Sequence, residues 1–358
     1  MRVNIITQPL FVNYGGILQN YALQEVLRRM GHEPLTVNVP PREVDWKAGW
    51  KDYIRAARNL IWRWQGRYHA PFLNPHTFAV KERELSFPQR EFVSKYIQKK
   101  DIKDPFTSKT GVDCPADMWI VGSDQVWRPW CNRYIENEFF DFLGDQTPRI
   151  AYAASFGTDQ WEIPENKTPH IKELAAKFKA ISVREESGVK LCKDYLSVDA
   201  VHVLDPTMLL KAEDYLALTS ESDYPKGKYI ATYVLDGAKD KADIVKVESR
   251  RLDMPTVKVG VMHKDRFDSI ESWLATIAHA ERVITDSFHG TVFSLLFNRP
   301  VKVLGNNVRG NTRLQSLLDL LDLNPDSDGY IRLDENCANK LNALKEKSIK
   351  FLINSLEK

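Results

Sequence analysis

The first forty residues constrain the fold more than any other stretch. RVNIITQ (2–8) is an apolar run of strand length, and LTVNV (35–39) is a second. Between them GGILQNYALQEVLRRMG (15–31) places Leu23, Val26, Leu27 and Met30 at i, i+3, i+4 and i+7, and Gly31 stops the pattern. That period is one face of a helix. Strand, helix and strand at this spacing make a β-α-β unit, which builds a parallel sheet through a right-handed crossover.

The rhythm returns with MWIVG (118–122) and RIAYAASF (149–156), then AISVRE (180–185), KYIATYVL (228–235), PTVKVG (255–260), ERVIT (281–285) and VKVLG (301–305). Helical stripes fall between them, as at Ile270, Trp273, Leu274 and Ile277, and at Leu314, Leu317, Leu318 and Leu321. A chain of 358 residues has room for about two domains. The pattern therefore predicts an α/β protein of two Rossmann-like, doubly wound domains. HIKELAAKFK (170–179) reads as a helix closing the first domain, which gives 1–178, then 179–330, then a C-terminal amphipathic helix within 331–358. Ligands of open parallel sheets bind beyond the carboxyl ends of the strands, so a cleft between facing domains is the expected site.

Residues 40–110 break the rhythm with Pro, Trp and Arg and read as an inserted helical segment of the first domain. Within it Trp50, Tyr53, Ile54, Ala57, Leu60, Ile61 and Trp64 form one stripe, with Lys51, Arg55, Arg58 and Arg63 mostly off it. Such a helix either packs on the first domain or lies in a membrane interface.

Bulk composition narrows the chemistry. Fifty Lys and Arg against 48 Asp and Glu leave a net charge of +2, which gives no argument for a nucleic-acid partner. Cys114, Cys131, Cys192 and Cys337 form no C-x-x-C pair and no zinc pattern with histidine, so no metal is expected and the thiols read as reduced. MRVNIITQPL lacks a signal-peptide core, and no run reaches the ~20 apolar residues of a membrane span. A cytoplasmic protein is expected, with peripheral contact at the inner membrane surface if the basic helix serves there.

DSFHGTVFSLLFNRP (286–300) sets His289 between the strand ERVIT and an apolar helix. The first N–H groups of a helix lack internal partners, and the dipole there is positive, so a phosphate or carboxylate fits. A histidine pulled one way by the dipole and the other by a bound dianion can titrate near neutral pH. The same residues equally fit a plain Asp-Ser cap with a bystander histidine.

Three further joints share this form. WIVGSDQVW (119–127) projects Asp124 from a strand end as a candidate base or hydroxyl ligand, or as a simple Asx turn. ISVREESG (181–188) offers Arg184, either as a fork for phosphate or carboxylate or as a surface ion pair with Glu185 or Glu186. NYGGILQN (13–20) carries Asn13, Tyr14, Gln19 and Asn20, sugar-lining residue types, around Gly15 and Gly16, but has no nucleotide fingerprint. After the last strand, Arg309 and Arg313 either add positive charge to the cleft or sit solvated.

NYGGILQNYAL, VGSDQVW, IAYAASFG, ISVREESG, VLDPTMLL and DSFHGTVFSLLFNRP, in this order, resemble the polysaccharide pyruvyl transferase family over most of residues 1–320. The resemblance implies two facing Rossmann-like domains of GT-B type. It implies phosphoenolpyruvate as co-substrate, with no cofactor, and as acceptor a sugar diol of a bacterial polysaccharide or its lipid-linked precursor, with a pyruvate ketal and phosphate as products. It places Arg184, Phe288, His289, Gly290 and Thr291 on the donor side, where position in the chain adds Ser287, Arg309 and Arg313. Asn13, Tyr14, Gly15, Gly16, Gln19, Asn20, Ser123, Gln125 and Trp127 fall on the acceptor side, and His289, Asp124 and Arg184 are the catalytic candidates. A GT-B glycosyltransferase using a nucleotide sugar, and a non-catalytic glycan- or phosphate-binding protein, are the competing readings.

Overall fold

The structure, a computed structural model, describes residues 1–40, 84–102, 106–132, 134–263, 265–305 and 312–357. The described strands are β1 Arg2–Ile6, β2 Glu33–Asn38, β3 Lys99–Asp101, β4 Met118–Val121, β5 Arg149–Ala154, β6 Ala180–Val183, β7 Val201–His202, β8 Ile230–Tyr233, β9 Thr256–Lys258, β10 Arg282–Thr285 and β11 Val301–Val303. The helices are α1 Tyr14–Arg29, α2 Phe87–Tyr96, α3 Ser108–Asp113, α4 Thr168–Ala175, α5 Glu186–Leu191, α6 Ala212–Leu216, α7 Lys239–Leu252, α8 Ile270–Ala278, α9 Phe288–Leu296, α10 Thr312–Leu320 and α11 Glu335–Leu356.

Two parallel sheets result. The first runs β3-β2-β1-β4-β5-β6-β7 and the second β11-β10-β8-β9. Central strands of such sheets are covered on both faces and so read as unbroken apolar runs. β4 and β5 are buried at every position. One apolar core runs from Val3 and Ile5 through α1 to Trp273, Val283 and Leu352, joining the two halves, and a second, rich in aromatics, holds Trp119, Trp127, Phe139 and Phe140.

The expected boundary at 178/179 falls inside the first sheet. β6 pairs in parallel with β5, and β7 with β6, so the chain changes sheets between residues 202 and 230. Apolar rhythm marks a strand but not the neighbour it pairs with, and a two-residue strand such as β7 leaves no rhythm at all. The 40–110 segment also contributes to the first domain. β3, wholly exposed with sequence KKD, pairs with β2 as an edge strand, where lysine discourages further pairing. The tryptophan-bounded stripe from Trp50 to Trp64 lies outside the described residues, and so does the choice between its two readings.

The C-terminal helix is not an appendage. From the second half, α11 returns to the first, where Ser348 Oγ accepts the Leu204 N–H at 3.0 Å and Phe351 packs on Tyr152. Among the described residues no helix is long and apolar enough to cross a membrane.

Candidate functional site

Both sheets reverse their winding once. In the first sheet the reversal falls between β1 and β4, in the second between β8 and β10. Crevices open at such points, beyond the carboxyl ends of the strands. There the structure brings together the residues after β4, the loop after β8 and the start of α9 around one cleft.

The first-sheet wall centres on Asp124. Gly122 precedes it at φ +142, where a Cβ would lie 2.0 Å from the Tyr152 carbonyl oxygen, so only glycine fits. Asp124 itself takes φ 67, a left-handed conformation that aspartate tolerates better than most residues. Its Oδ1 accepts the Gln125 N–H at 2.9 Å and its Oδ2 accepts Asn13 Nδ2 at 3.0 Å. Gln19 Oε1 accepts the Ser123 N–H at 3.1 Å and steadies the same turn.

The opposite wall is the start of α9. Ser287 caps the helix by accepting the Gly290 N–H, and His289 follows in the first turn, only 7% exposed. One edge of its ring faces Gly15, where a Cβ would lie 1.9 Å from Nδ1. Nε2 lies 3.8 Å from Asp205 Oδ2. Burial pulls the imidazole down to about 4; Asp205 and Asp124 pull upward, Arg184 and Arg313 downward. Burial outweighs the rest, so His289 is neutral at pH 7 rather than balanced near neutrality as the sequence suggests.

Arg184 links the walls. It follows β6 in the first sheet, and its Nη1 donates to Asp205 Oδ2 at 2.7 Å, while its guanidinium lies over the Phe288 ring at 4.7 Å. Burial works against its charge, but the carboxylates of Asp205, Asp124 and Glu185 outweigh that and raise its pKa. Its Nε and Nη2 are buried without hydrogen-bond partners among the described residues. Arg313, in the first turn of α10, lines the cleft, and burial with the nearby Arg184 lowers it to about 10. The cleft thus sets a fixed carboxylate, a neutral buried histidine and the Arg313 guanidinium around one space, with Arg184 buried behind the wall against Asp124 and Phe288.

A family model for polysaccharide pyruvyl transferase matches residues 13–307. The chain belongs to the polysaccharide pyruvyl transferase family. No curated protein matches it. Among solved structures, an S. aureus MnaA–UDP co-structure is similar at TM-score 0.51 and 13% identity, over 99% of this chain and 97% of that one. A UDP-GlcNAc 2-epimerase from Neisseria meningitidis bound to UDP-GlcNAc gives TM-score 0.48 and 9% identity, over 99% of each chain. At 13% identity the likeness to the MnaA structure is one of fold, the GT-B-like pairing of two α/β domains.

Within this pyruvyl transferase fold the expected site residues separate into two groups. Asn13, Gly15, Asp124, Gln125, Ser287, Phe288, His289 and Arg313 line the cleft. Gly16 sits behind Asn13 and Asp124, and Ser123 donates through Oγ to Asp205. Others serve packing instead. Trp127 is fully buried, stacked on Phe139 at 4.8 Å with Nε1 donating to the Glu138 carbonyl, because its side chain turns into the first domain's aromatic core. Asn20 faces β2, where its Oδ1 accepts Thr36 Oγ1 at 2.9 Å. Tyr14 stacks on Trp273 and donates to the Asp268 carbonyl at 2.7 Å, a contact between the domains. Gly290 fits against Thr285, and the Thr291 hydroxyl donates back to the Ser287 carbonyl. Arg309 lies outside the described residues.

Two carboxylates escaped the sequence reading. Asp205 stands within VLDPTMLL, after a strand too short to signal. Asp286 precedes Ser287 and accepts from the Leu235 and Asp236 N–H groups at 2.7 and 3.0 Å and from Lys241 Nζ at 2.8 Å. It thereby ties the loop after β8 to the start of α9. An aspartate before the capping serine was its signal; Lys241 left none. Among the described residues no three His, Cys, Asp or Glu side chains are grouped to hold a metal.

Proposed function

We propose that this protein transfers the enolpyruvyl group of phosphoenolpyruvate to two hydroxyls of one sugar residue, forming a pyruvate ketal and releasing phosphate. Family membership supports the reaction class. The observation that carries the assignment of roles is Asp124 facing His289 across one cleft that Arg313 also lines, with Arg184 buried behind its wall 3.7 Å from Asp124 Oδ1. Three like needs meet there: cations for a trianionic donor, an acid for its methylene carbon and a base for a hydroxyl.

The steps balance. A dianionic phosphate beside His289 favours the imidazolium, which then gives its proton to the methylene carbon. Positive charge develops at the carbon bearing the phosphate. A sugar hydroxyl attacks that carbon and loses its proton to Asp124. The carbon–oxygen bond to phosphate breaks, and the second hydroxyl closes the ketal, its proton leaving with the phosphate. Of the two protons lost from hydroxyls, one replaces that given to the methyl group.

The test is to incubate the protein with phosphoenolpyruvate and acceptors containing galactose or mannosamine, following phosphate release and acceptor mass. A mass gain matching a ketal, with one phosphate released per acceptor, is expected. Nucleotide release from a sugar nucleotide, with phosphoenolpyruvate untouched, would replace this reading with glycosyl transfer. Neither product would leave a binding protein.

A further inference from the structure

Asp205 follows β7, where the chain leaves the first sheet, and is 1% exposed. Its Oδ1 accepts from the Thr207 N–H at 3.0 Å and from Thr207 Oγ1 at 2.7 Å. Its Oδ2 accepts Ser123 Oγ at 2.9 Å and Arg184 Nη1 at 2.7 Å, and lies 3.8 Å from His289 Nε2. One oxygen therefore meets residues from the ends of β4 and β6 and from the start of α9, spanning both sheets. Burial pushes this carboxyl up, but Arg184 and His289 pull it down to about 2, so it stays ionised.

The other ring nitrogen meets the opposite field. Nδ1 lies against Gly15 in the first turn of α1, an end with no side-chain cap. Free N–H groups and the positive end of the helix dipole favour a lone pair there. The carboxylate on the Nε2 side favours a proton there. Among the described residues the charged groups that act most on the ring are Asp205, Asp124, Arg184 and Arg313. Of these carboxylates, only Asp205 also binds Arg184 through a hydrogen bond.

We propose that Asp205 is a positioning residue: it fixes His289 in the tautomer protonated at Nε2 and sets Arg184 and His289 in one register across the two domains. The catalytic consequence rests on the transfer reading above; the tautomer does not. Hydrogen-bonded carboxylate–histidine pairs elsewhere hold a tautomer and stabilise the imidazolium; here no described residue hydrogen-bonds to His289 Nε2, and Asp205 acts on it at 3.8 Å through its charge.

Nitrogen-15 NMR of the histidine-labelled full chain at pH 7 tests the tautomer, with His289→Gln identifying the signal. The wild type should show a proton on Nε2, and Asp205→Asn a mixture. Asp205→Asn should also lower kcat/KM for phosphoenolpyruvate by about 10²–10⁴-fold. The activity limb lost at rising pH should move to lower pH, because removing an anion makes the imidazolium less stable. Thr207→Ala loosens only the far oxygen and should leave tautomer and limb in place. Should Asp205→Asn fail to fold, Asp205→Glu, which keeps the charge but moves it, should still disturb the tautomer. An unchanged tautomer in Asp205→Asn, or in the glutamate variant in its place, overturns the proposal. If the protein turns over no phosphoenolpyruvate, the transfer reading fails while the NMR result still judges Asp205.

Discussion

Two helix starts face each other across the cleft, and they are built differently. α9 is capped in the usual way, by a serine accepting a backbone N–H of its first turn. α1 begins at Asn13, a good capping residue that does not cap; its amide donates instead to Asp124. Substituting an ordinary cap costs about 0.5–2 kcal/mol, so a polar residue diverted from that task points to another use. The first-domain wall aims a carboxylate with its polar groups. The second-domain wall fixes a histidine at a positive helix end. In the transfer reaction proposed above, the difference would put the acid and the base on opposite sides of the gap between domains.

The largest expected effect breaks the comparison at the histidine. His289→Ala should lower turnover by about 10²–10⁴-fold with the fold intact, read by phosphate release and circular dichroism. Near wild-type turnover would remove His289 from the chemistry. The same residue gives a pH signature. Its pKa is about 4 in the fold against an ordinary value of 6.5, so below pH 6.5 the unfolded chain binds the extra proton. Stability should then fall as pH drops from 6.5 toward 4, by on the order of 3 kcal/mol. His289→Gln should flatten that slope in denaturant titrations.

Arg184 joins the walls, so its loss tests whether they act as one unit. Arg184→Ala leaves Asp205 buried and uncompensated, at a cost of about 3–5 kcal/mol. Arg184→Lys keeps a charge but not the fork, and should still bind phosphoenolpyruvate more weakly than wild type. Full donor affinity in the lysine variant would reduce Arg184 to a simple charge.

The smallest effects sharpen the contrast most. Ser287→Ala should lower stability by about 1 kcal/mol. Asn13→Ala should change stability by less than about 0.5 kcal/mol yet slow turnover, because it frees Asp124 rather than uncapping a helix. Equal losses of stability in both variants would show that Asn13 is an ordinary cap.

What the sequence reveals follows from range. His289 and Asp124 stand out because each lies a few residues past an apolar strand, and local pattern identifies a strand exit. Gln19 and Asn20 share one helix, yet one steadies Ser123 and the other faces β2; helical phase alone does not name those partners. Asp205 meets Ser123, Arg184 and His289, partners separated from it by tens of residues, and only the assembled sheets bring them together. β3 stayed hidden because an exposed edge of Lys-Lys-Asp carries no apolar signal.

The return of α11 to the first domain bears on the order in which a ribosome releases this chain. Domains commonly fold as they emerge, the amino-terminal one first. Here the surface around Tyr152 and Leu204 is made early but receives Ser348 and Phe351 only when the last helix emerges. The first domain must wait through the synthesis of the whole second domain with an apolar flank uncovered. During that interval it presents a surface on which a chaperone, or another nascent copy, can dock.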